Sequence, residues 1–174
     1  DLAGEINALF PGTGPFWGNG LKRDIPHLPR RGRARAGHGM AERREAERRA
    51  PRAFPCWQLS GAGAVGSQAL TGLPVLSRLR RRFDAAAWPF EPTAGAGLVL
   101  AEIWPSLIDP AVRAATGPGE IRDRVQVRLL ARALARLGSG GRAAIGAGLP
   151  EATREAGWIL GLGHEARLTA AAAC

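Results

Sequence analysis

An α/β domain is the fold class this sequence predicts, and three observations carry it. Two apolar stretches of strand length, residues 54–59 and 97–104, alternate with two amphipathic helical stretches, one running to about Arg82 and one over 121–137. Hydrophobic residues make up 45% of the 174 residues, enough for one ordinary domain with a core of its own. The longest apolar runs, 97–101 and 158–162, fall far short of the roughly 20 residues a membrane helix needs. A soluble chain with no membrane partner is therefore expected, and no segment reads as a signal peptide.

In chain order, Leu2, Ile6 and Leu9 have helical spacing, so residues 1–10 read as the end of a helix whose start lies upstream. PGTGPFWGNG over 11–20 is a loop carrying the aromatic pair Phe16 and Trp17, and loop character persists to residue 39. Residues 40–49 mix Glu and Arg, with Glu45 and Arg49 four apart, and predict a short helix that Pro51 ends. The whole of 11–52 reads as a basic Gly/Pro-rich insertion. The first strand follows at 54–59, then a glycine turn and a helix that Pro74 kinks. The strand over 97–104 carries Glu102 at its end, and 105–119 is mixed, with Pro110 and Pro118 as breaks.

Residues 121–137 are the best helix in the chain. Ile121, Val125, Leu129, Leu130, Leu134 and Leu137 make one stripe, while Arg124, Arg128, Arg132 and Arg136 recur every four residues. Gly138 terminates it. A flexible linker is expected over 138–150, a short helix over 151–157 and an apolar piece over 158–163. The tail LTAAAAC carries no pattern, and 1–174 reads as a single, incomplete domain.

The net charge is +9 and the pI about 11.4. Between Lys22 and Arg52 eleven Lys and Arg face four acids, so this block alone holds +7 of the +9. Such a block is either an anion-binding surface or a solvated loop. Arg43 and Arg44, with Phe16 and Trp17, are its candidate contacts to nucleic acid or nucleotide. Only two cysteines are present, Cys56 and Cys174, which excludes a disulfide framework or a cysteine-only zinc site and fits a reducing cytoplasm. Cys56 is expected to be buried. His27, His38 and His164 make no metal-spaced pair.

Gly61-Ala-Gly63-Ala-Val-Gly66 stands between a strand and a helix, the order of a dinucleotide-binding turn. Gly61 and Gly63 are candidate phosphate contacts, since helix N-termini favour anions. The second parallel strand of a dinucleotide fold does not follow, and close packing of the turn explains the same glycines. Among the carboxylates, Glu102 ends an apolar strand, where sites in α/β sheets gather. Asp123 lies in the first turn of the best helix, where the dipole alone favours an acid. If the two converge they could hold Mg²⁺, which takes oxygen ligands and serves phosphate chemistry.

AEIWPS and IRDRVQVRLLARALARL resemble the strand and helix of a family of uncharacterised bacterial proteins predicted to be nucleases with a ribonuclease-H-like fold. There a strand ends in Glu, an aromatic and Pro, matched here by Glu102, Trp104 and Pro105. A later helix carries an Asp, matched by Asp123. The family's helix often has a second acid three or four positions on, where this chain has Gln126 and Val127. FPCWQLSGAGAVGSQALTGLPVLSRLR, preceded by RREAERR, resembles a narrower subgroup sometimes labelled with molybdopterin-guanine dinucleotide synthesis. The nucleotide-binding P-loop of those synthesis enzymes is absent. The resemblance spans about 15–163 and is strongest over 54–80 and 98–137.

It implies a mixed sheet flanked by helices, and a metal-dependent nuclease or phosphoryl hydrolase with Glu102 and Asp123 as catalytic residues and ligands of Mg²⁺. The family fold begins with a hairpin that supplies a further Asp. No such hairpin precedes Leu2, so the resemblance implies that the first strands and the first ligand are missing from this chain. A non-catalytic nucleotide- or nucleic-acid-binding module is the alternative, favoured by Gln126 in place of an acid.

Overall fold

The computed structural model describes residues 1–151 and 153–173. They fall into two units, Asp1–Ala85 and Ala86–Cys174.

The first unit is loop-rich. It contains α1 (Leu2–Asn7), a 3₁₀ turn at Gly32–Ala34, α2 (Glu45–Arg49) and α3 (Gly66–Arg82). Asn7 organises the loop that follows α1. Its side chain is 1% exposed; Nδ2 donates to the carbonyls of Phe16 (2.9 Å) and His27 (2.7 Å), and Oδ1 accepts from the Phe16 amide (2.9 Å). These bonds satisfy backbone groups that burial strips of water. Phe16 thereby enters a small core with Ala3, Ile25 and Leu28, against which Trp57, Leu59 and Leu70 pack. The Phe16 and Trp57 rings meet edge to face at 5.3 Å.

The strand expected over 54–59 does not form. Trp17 and Gln58 make one isolated parallel bridge, through Trp17 N to Trp57 O (3.0 Å) and Leu59 N to Trp17 O (2.9 Å). Pro55 has no amide to give a ladder, and its carbonyl closes a turn onto Gln58 instead. The helix expected over 40–49 shortens to α2. Glu47, 1% exposed, accepts from the backbone amide of Arg44 (2.9 Å) and from its Nε (2.9 Å), which fixes the start of the helix.

The second unit opens with a sheet of two three-residue strands, β1 (Ala85–Ala87) and β2 (Leu98–Leu100). The strand expected over 97–104 reduces to β2; residues 101–104 have no regular structure before a 3₁₀ turn at Pro105–Ile108, and the carbonyl of Glu102 pairs with the Leu160 amide (2.8 Å) rather than with a strand. Then come α4 (Asp109–Ala115), α5 (Arg122–Ile145), α6 (Thr153–Ala156) and α7 (Glu165–Ala173). The protein is thus mixed helix and strand with helix predominant; no larger sheet occurs among the described residues.

The core of this unit lies where α5 meets α4, α7 and the 3₁₀ turn. Val125, Leu129, Leu130 and Ala133 are buried along one face of α5, Ile108 and Val112 belong to the turn and α4, and Leu168 and Ala172 to α7. The patternless tail is therefore a core helix: Leu168 and Ala172 are four apart, and alanine favours helix more than any other residue. Residues 139–145 continue α5 past a break at Gly138, whose φ of 61° and ψ of −175° are not helical. No helix among the described residues is long and apolar enough to cross a membrane.

Candidate functional site

Charge separates the two units. Residues 1–85 hold fifteen Lys and Arg against seven acids, a net +8, whereas 86–174 hold nine against eight, a net +1. Most arginines of the basic block nevertheless serve the fold of the first unit. Arg30 donates to the carbonyls of Leu21 (2.6 Å) and Lys22 (3.1 Å) and pairs with Asp24 (2.9 Å). Arg48 and Arg49 both hold Glu45, and their guanidinium bonds keep its carboxyl below the usual carboxylate range. The two candidates Arg43 and Arg44 also turn inward, Arg43 to the Ala53 carbonyl (2.8 Å) and Arg44 to Glu47.

Arg35 is the centrepiece. Its side chain is 5% exposed, bonded to the carbonyls of Pro15 and Gly32 and to Glu42, and its guanidinium lies 5.6 Å from the centroid of the Trp17 ring. Gly32 approaches the same ring so closely that a Cβ there would stand 3.0 Å from it. Trp17, Arg31, Gly32, Arg33, Arg35 and Glu42 line a groove of about 580 Å³. The Trp17 indole N–H is buried there and has no acceptor among the described residues. Arg31 and Arg33 are exposed at the groove. The sequence marks Trp17 as a candidate contact but not Arg31, Arg33 and Arg35, because nothing in the spacing tells a structural arginine from a free one.

The remaining candidates lie elsewhere. Phe16 is core. Gly61 (φ 114°) and Gly63 (φ 77°) form the turn before α3. A Cβ on Gly63 would stand 2.3 Å from the Phe54 ring, and one on Gly66 2.5 Å from the Cys56 carbonyl, so the glycines admit their own chain. Cys56, expected to be buried, is half-buried; Cys174 lies outside the described residues.

Glu102 and Asp123 are both exposed. No group of three His, Cys, Asp or Glu side chains able to hold a metal occurs among the described residues. The buried acid of the second unit is instead Asp109, 4% exposed at the start of α4. Burial raises its carboxyl, but Arg113 (2.7 Å) and Arg122 outweigh this and hold it below the usual carboxylate range.

Compared with protein-family models, curated proteins and solved structures, the chain matches none. The functional reading therefore rests on the site itself.

Proposed function

We propose that the protein binds a polyanion, a nucleic-acid backbone, without cutting it, through the groove between Trp17, Arg31 and Arg33. One observation carries this reading: two exposed arginines, Arg31 and Arg33, line the groove in the unit that holds +8 of the charge. Phosphate oxygens are the acceptors that these exposed guanidinium groups would take. Arg35 and Gly32 approach the Trp17 ring, so the groove offers donors rather than a stacking platform. Binding of this kind positions a backbone and reads no sequence.

The test is fluorescence anisotropy with labelled oligonucleotides of unrelated sequence, across a salt series. Affinity falls steeply with salt and is the same for every sequence, and Arg31→Ala with Arg33→Ala lowers the log–log slope by about 1–2. Affinity that ignores salt, or a double variant that binds like the parent, overturns the reading.

A metal-dependent nuclease of ribonuclease-H-like fold is the second reading. It is favoured by Glu102 standing just past β2 with its backbone pinned by Leu160. It requires Mg²⁺-dependent cleavage of DNA or RNA that Glu102→Gln removes.

A further inference from the structure

The second unit contains a cavity that plays no part in polyanion binding. It has about 800 Å³ of space, within the range that holds small organic ligands. Its walls are Val99 and Ile103 from β2 and its continuation, Trp88 from the end of β1, Leu134 from α5, and Leu160. Small residues of the second half of α5 open the remaining side. At Gly146 a Cβ would already touch Trp88 and Leu160 at 3.4 Å.

Beside these apolar walls the lining holds two hydroxyls, Thr93 and Ser139, and a single charged side chain, the exposed Arg142; no Asp or Glu lines the cavity among the described residues. Glu102, between the wall residues Ala101 and Ile103, is not part of the lining. Arg142 lies four residues past the break at Gly138. The Leu134 carbonyl, four residues before the break, accepts from Arg142 Nη1 at 2.9 Å. One N–H thus tethers the guanidinium to the helix, while a guanidinium has five to give.

We infer that this cavity binds a small hydrophobic monocarboxylate, its tail against Val99, Ile103 and Leu134 and its carboxylate on Arg142. An apolar tail suits the Val99, Ile103 and Leu134 walls, and an anionic head suits the one cation at the edge of the lining, which it meets through a charge-assisted hydrogen bond. A neutral ligand leaves the arginine without a counter-charge, and a cationic one is repelled.

Octanoate is the probe, titrated calorimetrically into the full chain beside octanol and octylamine. Octanoate binds at least about tenfold more tightly than octanol, and octylamine does not bind. Arg142→Gln weakens octanoate by about tenfold or more, and Arg142→Lys restores part of the loss by keeping the charge. Ala101→Phe adds bulk to the wall beside Ile103 and abolishes binding. Because Arg142 also bonds α5, helicity by circular dichroism accompanies each variant, and the Ala101 variant decides the matter if Arg142→Gln unfolds. No binding of octanoate, octylamine binding as well as octanoate, or folded Arg142→Gln and Ala101→Phe variants that bind like the parent would each overturn the inference.

Discussion

Asp109 illustrates how a single residue ties elements together. It begins α4, yet it pairs with Arg122 at the start of α5 as well as with Arg113 one turn on. Its carboxyl titrates below the ordinary value in the folded chain. Between the folded and unfolded values the unfolded chain binds more protons, so stability rises with pH there. The contribution is complete above about pH 4 and is lost as pH falls through the folded value. Acidification from about pH 5 to about pH 3 therefore lowers the urea midpoint, and Asp109→Asn flattens that fall; equal falls in parent and variant would remove Asp109 from the account. The Asp-Pro pair at 109–110 is a helix-start signal that could have marked this residue. Its partner Arg122 could not be named, because pairing across elements leaves no periodic trace. The same holds for Phe16 and Trp17. They are neighbours of one chemical class, yet Asn7 draws one backbone into the core and the other ring meets Arg35.

At the scale of elements, α3 and the first half of α5 were legible because their apolar residues recur with helical spacing over several turns. The short strands were not. A run of apolar residues such as 54–59 says only that a segment is buried or half-buried, and Pro55 with the neighbouring turn removes the ladder. The helix α7 was hidden because alanine is neutral to pattern while strong in propensity. Gly138 predicts the end of the helix and the start of a flexible linker, yet α5 is only broken there and runs on to Ile145, and that second half frames the cavity. Its φ of 61° with ψ of −175° lies where essentially only glycine goes. Gly138→Ala is therefore expected to cost about 1–3 kcal/mol in urea unfolding. Gly140→Ala is the contrast: it sits in the helix with nothing within 4 Å of a new Cβ and should gain about 0.4–1 kcal/mol. A neutral or stabilising Gly138→Ala would mean that the break is not needed.

For the molecule as a whole, the division of charge is what the proposed polyanion binding rests on. A potential set by +8 on the first unit and +1 on the second favours one end of the chain regardless of which side chains make the final contact. The two functional readings then make opposite spatial predictions. Backbone binding at the groove should slow amide exchange around residues 15–42, through Trp17, the 3₁₀ turn at Gly32–Ala34 and the Arg35–Glu42 pair. A nuclease site at Glu102 and Asp123 should instead slow exchange near residues 100–104 and 121–125. Hydrogen exchange with and without a single-stranded oligonucleotide, at low and at raised salt, separates them. Protection confined to the first unit and lost at high salt is the expected result. Protection at 100–104 that persists in salt would move the site to the carboxylates and leave the basic block as scaffold, a role that Arg30, Arg43, Arg44 and Arg48 already fill.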